Sequence, residues 1–208
     1  GNGLYWVTSL HPIKPHLMEI RRWGGSQTWS IEEADRLHQF EPCAGGLWED
    51  AGRPPNATVG IAFGGFGNGP SMSFVRTPES YDDRWSWIFE GLEGEVFGEG
   101  GLNAGAGNEF DVFDPRRTPP GESVVIATSS PKTADHFGTF ERRGARAPSP
   151  DVHCDVVLTR TPAGGLVLAI GSITASGCLT SRRDVGLARV VSNGVRRMLG
   201  TSSAGADG

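Results

Sequence analysis

The chain has 208 residues, a formal net charge of −5, 31 glycines and 14 prolines. Glycine is at about twice its ordinary ~7% share, and Leu, Ile, Val and Phe together stay just above the ~20% floor for a folding chain. These figures exclude a collagen, a coiled coil and a disulfide scaffold. The acidic balance argues against a non-specific nucleic-acid binder, and no apolar run approaches the ~18 residues of a membrane span. One loop-rich globular domain is the expectation.

No basic-then-apolar leader opens the sequence. It starts Gly1-Asn2-Gly3-Leu4-Tyr5-Trp6-Val7, which reads as an excerpt truncated at its N-terminus. Three scattered cysteines, Cys43, Cys154 and Cys178, suit a reducing, cytoplasmic setting. They form no CxxC pair. Asn56-Ala57-Thr58 matches a glycosylation acceptor, discounted without a secretory signal.

In chain order, Leu4–Thr8 is aromatic and β-branched and reads as a strand. His16–Arg22 reads as a second. Trp29–His38 has helical character, with Ser30 and Glu33 as a capping box. Val59–Phe63 is a short apolar strand, and Gly64-Gly65-Phe66-Gly67-Asn68-Gly69-Pro70 reads as loop. Thr77 and Pro78 open a predicted helix that carries Trp85, Ile88, Phe89 and Leu92 on one face. Gly98–Gly107 reads as the least structured part of the interior. Val124–Ala127 suits a buried strand, and Pro131–Pro150 reads as irregular.

Val156–Thr159 and Leu166–Ile170 flank Pro162-Ala163-Gly164-Gly165 and predict a hairpin. Gly171–Gly177 reads as a loop. Asp184 opens a helix whose Leu187, Val190, Val191, Val195, Met198 and Leu199 form one apolar face, closed by Gly200. Residues 1–199 are the expected folded region and 200–208 a disordered tail. Strands followed by helices give an α/β or α+β class.

Most chemical signatures fail. No Gly-x-Ser-x-Gly elbow exists, and no His follows Cys178. Each cysteine reads as a small buried filler. His16 and Glu19 point to opposite faces of a strand, and neighbours in His153-Cys154-Asp155 diverge, so neither makes a good chelate. Gly65-Phe66-Gly67-Asn68-Gly69-Pro70 lacks the third glycine of a dinucleotide loop. Of the two phenols, Tyr5 and Tyr81, the first reads as core. What remains is Gly105-Ala106-Gly107-Asn108-Glu109-Phe110-Asp111. Extended, it puts two carboxylates on one face behind glycines that let a ligand approach. It suits an active-site rim with a general base, or a solvated loop. A cation module of Glu109, Asp111 and Asp114 is a weaker alternative.

Several stretches together resemble the C-terminal region of the N,N-dimethylformamidase large (beta) subunit family. They are Gly1-Asn2-Gly3-Leu4-Tyr5-Trp6-Val7-Thr8-Ser9; Gly46-Leu47-Trp48 with Gly52-Arg53-Pro54-Pro55 and Val59-Gly60; and Phe89-Glu90-Gly91 with Glu95-Val96 and Gly98. Gly107-Asn108-Glu109-Phe110-Asp111 and Gly171-Ser172-Ile173 complete the series, which runs from residue 1 to about 199. The order and spacing are specific although no single motif is.

The resemblance implies a glutamine-amidotransferase-like (flavodoxin-like) α/β region with long Gly-rich loops. It implies part of an iron-dependent amide hydrolase that converts N,N-dimethylformamide or a related small amide to amine and carboxylate. It also implies a mononuclear iron held by tyrosines and a glutamate outside this chain, a small partner subunit and a homo-oligomer, with no nucleic acid or membrane partner. On that picture Glu109 is the candidate general base, and Asn2 and His16 donate hydrogen bonds at the rim. Such an ion would polarise the amide carbonyl or acidify a bound water. Thr174-Ala175-Ser176 and Ser181-Arg182-Arg183 depart from the family's Trp and Asn-rich turn, which bears on the choice of amide. The alternative is a non-catalytic amidotransferase-like domain for assembly or carbohydrate binding.

Overall fold

The computed structural model describes residues 6–10, 18–21, 54–66, 70–100, 104–129, 153–180 and 185–200. The chain divides into two compact units, residues 1–55 and 56–208. In the first, β1 (Trp6–Leu10) pairs antiparallel with β2 (Met18–Arg21), with a register shift between Val7 and Ser9. Both expected strands are present: β1 is displaced by two residues from Leu4–Thr8, and β2 lies within His16–Arg22. The helix expected over 29–38, the 131–150 stretch and the tail beyond Gly200 lie outside the described residues.

The second unit is built on a five-stranded sheet. Its members are β4 (Phe74–Arg76), β5 (Val96–Phe97), β7 (Glu122–Ser129), β8 (Asp155–Arg160) and β9 (Leu166–Ile170), in the order β5-β4-β7-β8-β9. Every pairing is antiparallel. The β8–β9 hairpin forms as its turn chemistry predicts, with Val157 opposite Ala169 and Leu158 opposite Leu168. Ile126 is the extra residue where the β7–β8 register shifts, and it is fully buried.

Strand β8 is apolar because both of its faces are covered. Val156 and Leu158 enter the main core with Phe74, Trp85, Ile88, Phe97, Phe110 and Leu187. Val157 faces the other way, onto Ile61 and Ala169. That second face is covered by a two-stranded ribbon, β3 (Ile61–Phe66) with β6 (Glu109–Phe113). A single turn, α1 (Asn56–Val59), precedes the ribbon. Asn56 is buried and donates its amide to the Val112 carbonyl (3.4 Å), so its side chain is turned inward, away from any glycan.

Four expectations are corrected. Gly64, Gly65 and Phe66 are strand, since pairing uses only the backbone; a Cβ at Gly64 would lie 2.8 Å from Val112. The helix expected after Thr77 is instead two 3₁₀ turns, Pro78–Tyr81 and Ser86–Phe89. Thr77 does not cap the first; its hydroxyl donates to the Val125 carbonyl (2.6 Å). The Arg76 guanidinium holds that segment instead. It stacks on Tyr81 (3.8 Å) and Phe89 (4.2 Å) and donates to Ser80.

Third, the expected 171–177 loop contains a short helix, α2 (Ala175–Leu179). Last, α3 (Gly186–Met198) buries Leu187, Val190 and Gly194, while Val195, Met198 and Leu199 are exposed. Its seat ends at Gly194, where a Cβ would meet Leu168 (3.1 Å) and Ile88 (3.4 Å). Gly200 closes the helix with φ +70°, as its position predicts. Among the described residues no helix is long and apolar enough to cross a membrane.

Leu158 is fully buried at the centre of the sheet. Leu158→Ala is expected to cost about 2–5 kcal/mol, by lost transfer energy and the cavity left behind. Urea denaturation reads this as a lower midpoint at an unchanged slope.

Candidate functional site

Strand β6 carries the candidate site. Period-two alternation sends Phe110 into the core, where it is fully buried, and turns Glu109 and Asp111 to the opposite face. The sequence-level reading of two carboxylates on one face is therefore realised. Both are half-buried. Asp114 is not part of the group; its carboxylate is held by Arg116 (2.9 Å). Among the described residues no three His, Cys, Asp or Glu side chains gather to hold a metal. The cation module of Glu109, Asp111 and Asp114 is thus not assembled.

The strand is seated by its backbone. The Asp111 amide donates to the Gly171 carbonyl (2.7 Å), and the Gly171 amide donates to the Asp155 carbonyl (2.9 Å). The Phe113 amide donates to Asp155 Oδ2 (2.9 Å). Asp155 is buried and lies 3.6 Å from His153 Nε2. His153 lies just before β8, and the pair meets across Cys154, which is buried in the main core. Gly171 fills the junction: a Cβ there would collide with the Asp111 carbonyl and stand 2.7 Å from that of Asp155.

The described parts of the glycine segment before β6, 98–100 and 104–107, are packed and hydrogen-bonded, against the expectation of the least structured interior. Ala106 and Met72 exchange both backbone bonds (2.8 Å each), and the Gly105 amide donates to Gly98 (2.7 Å). Gly105, Ala106 and Gly107 are buried. Here the glycines serve close packing: a Cβ at Gly105 would lie 2.9 Å from the Phe74 ring, and one at Gly107 2.7 Å from Ser71 Cβ. The Cys178 thiol, buried in α2, donates to the Gly100 carbonyl (2.8 Å). Cys154 and Cys178 are buried and form no disulfide among the described residues, as fillers should be, but Cys178 also makes this polar contact. Asn108 then takes φ +61°, an unusual conformation for a residue with a Cβ, and delivers the chain to Glu109.

Asp111 Oδ1 is buried without a hydrogen-bond partner among the described residues. Desolvation pushes its pKa above the ordinary carboxyl value, and the nearby Glu109 charge adds to the shift. Tyr81, the phenol inside the described residues, donates to Glu95 (2.7 Å), and that bond raises its pKa. Asn2, Tyr5, His16 and Cys43 lie outside the described residues, and of Glu19 only the backbone is described. The contributions of Ser172 and Thr174, which hold the glycine segment, escaped the sequence reading. Their signal was two hydroxyls just past the end of a buried strand.

A mixed helix-and-sheet unit presenting carboxylates from a ribbon that follows a closely packed glycine segment is the class these elements define. The chain belongs to the family described as N,N-dimethylformamidase beta subunit-like, C-terminal, whose profile matches residues 1–187. It is similar to the N,N-dimethylformamidase beta subunit of Alcaligenes sp, at 29% identity over 189 residues, 86% of this chain and 25% of that protein. It is similar also to the N,N-dimethylformamidase beta subunit of Paracoccus aminophilus, at 28% identity over 203 residues, 93% of this chain and 27% of that protein. The chain thus spans about a quarter of the length of the curated relatives it matches.

Because the folded-state pKa of Asp111 is raised, its contribution is fully present below the unfolded value, about 3.9, and is lost as pH rises through the folded value. Asp111→Asn is therefore expected to raise thermal stability relative to the parent above that range. The advantage should disappear as the pH falls below about 4; melting temperatures across a pH series check it.

Proposed function

We propose that this chain is the carboxylate-bearing part of an amide hydrolase that cleaves N,N-dimethylformamide or a related small amide. The observation that carries the reading is Glu109, half-buried at the start of a strand whose backbone is anchored on both sides. The family match and the names of the two relatives supply the substrate class.

Glu109 acts as general base. It takes a proton from water as the oxygen attacks the amide carbonyl carbon, then returns it to the departing nitrogen. The C–N bond breaks, and amine and carboxylate leave. Asp111 lies on the same face, and burial disfavours its charged form, which limits repulsion between the two groups. Asn2 and His16 are the proposed hydrogen-bond donors at the rim.

The proposal includes a mononuclear iron whose ligands come from outside this chain. The described residues do not fit an iron site, since no three ligating side chains converge and the Tyr81 hydroxyl is engaged by Glu95. It includes as well a small partner subunit, a homo-oligomeric cytoplasmic assembly without nucleic acid or membrane partners, and the glutamine-amidotransferase-like fold. The mix of helix and central sheet supports only the broader α/β class, and the described strands pair antiparallel throughout, unlike the parallel sheet of a flavodoxin-like fold.

In the full-length protein, Glu109→Gln is expected to lower kcat for N,N-dimethylformamide by about 10²–10⁴-fold, read as dimethylamine release. Elemental analysis of the same preparation is expected to find near one iron per chain. A folded Glu109→Gln protein with unchanged kcat would instead make this a non-catalytic domain for assembly or carbohydrate binding.

A further inference from the structure

Besides its main-chain bonds to Met72 and Gly98, the glycine segment that delivers Glu109 is held by two hydroxyls. Ser172 Oγ accepts the Gly107 amide (2.9 Å) and donates to the Gly107 carbonyl (2.9 Å). It also accepts the Thr174 amide (3.3 Å). Thr174 Oγ1 lies 3.1 Å from Ser172 Oγ and donates to the Ala104 carbonyl (3.0 Å). Each hydroxyl has one proton. Ser172 directs its proton to Gly107 and Thr174 to Ala104, so the pair reaches both ends of the Ala104–Gly107 segment.

The backbone of Ser172 lies beside strand β6. It forms an isolated antiparallel bridge with Phe110. Ser172 therefore holds the residue two before Glu109 through its side chain, while its own amide donates to the Ile170 carbonyl (2.9 Å) and its carbonyl accepts the Ala175 amide (3.3 Å). Downstream, Gly171 takes the Asp111 amide. Glu109 is spanned by contacts from two consecutive residues of one segment, the exit from β9.

A run such as Gly105-Ala106-Gly107 costs more conformational entropy to order than an ordinary segment. Close packing on Phe74 and Ser71 excludes side chains from it but does not by itself fix its direction. The hydroxyl bonds are directional. They set the peptide plane of Gly107, and with it the path through the left-handed Asn108 to the Glu109 Cα. We propose that Ser172 and Thr174 are positioning residues for Glu109: their hydroxyls clamp Gly107 and Ala104 and so aim the general base. The inference rests on the reading of Glu109 given above. It adds that two residues touching neither substrate nor Glu109's carboxylate govern turnover.

The test uses the full-length protein and four variants, with kcat and KM for N,N-dimethylformamide, melting temperature, and amide hydrogen exchange over residues 104–108. Thr174→Val removes the hydroxyl and keeps the shape; Thr174→Ser keeps the hydroxyl and removes the methyl. Ser172→Ala removes the hub, and Glu109→Gln is the reference. Misplacing a catalytic group by about 1 Å costs on the order of 10²-fold. Thr174→Val and Ser172→Ala are thus expected to lower kcat by about 10- to 100-fold with KM within about twofold. Exchange over residues 104–108 is expected to rise in both, and Thr174→Ser is expected to recover most of kcat.

If Glu109→Gln abolishes turnover while Thr174→Val and Ser172→Ala keep it, the clamp is overturned and the assignment of Glu109 stands. If Thr174→Ser fails as badly as Thr174→Val, methyl packing rather than the hydroxyl is responsible, and the clamp is again overturned. If Glu109→Gln turns over normally, both readings fall together. Should Ser172→Ala not fold, the two Thr174 variants decide.

Discussion

The structure turns on a junction with room for nothing but a hydrogen. At Gly171 the end of β9 passes between the carbonyls of Asp111 and Asp155, and its own amide and carbonyl bond Asp155 and Asp111. A peripheral ribbon is thereby tied to the central sheet through main-chain bonds rather than side-chain packing alone. Main-chain bonds are directional and set distance, so the strand bearing Glu109 and Asp111 has little freedom relative to the sheet. The next residue, Ser172, extends the same docking to the glycine segment.

That arrangement explains the abundance of glycine. The 98–107 segment looks like flexible linker by composition, yet its described glycines are buried against Phe74, Ser71 and Thr174. Absence of a side chain is used there for approach. The energetic burden is the entropy of ordering such a segment, offset by hydrogen bonds to Met72, Ser172, Thr174 and Gly98 and by the Cys178 thiol on Gly100. What results is a closely packed, hydrogen-bonded approach to a carboxylate, which suits a base when geometry sets its efficiency.

Legibility followed the range of the interactions. The β8–β9 hairpin was readable because apolar runs and turn residues are local. So was the shared face of Glu109 and Asp111, which requires only that the segment be extended. The strand character of Gly64–Phe66 was not readable, since it comes from pairing with residues more than forty positions away. The spacing of Trp85, Ile88 and Phe89 predicts one helix, where two 3₁₀ turns form instead. Arg76, stacked between Tyr81 and Phe89, and Thr77, bonded to Val125, decide the backbone there. In α3 the periodicity of Val195, Met198 and Leu199 was real, but periodicity cannot say where the underlying surface ends.

By itself the sequence determined the composition class, the sheet-forming runs of the C-terminal third, the helix ending at Gly200, the carboxylate-bearing strand and, through the order of its motifs, the family. Those depend on local propensity, period and spacing. The tertiary structure alone decided that the described part of the glycine segment is packed and hydrogen-bonded, that Ser172 docks it while Gly171 docks β6, that Asp111 Oδ1 is buried without a described partner, and that Asp114 stands apart. Each of these is a meeting of residues far apart in sequence, and the chain encodes such meetings only through the packing of the whole unit.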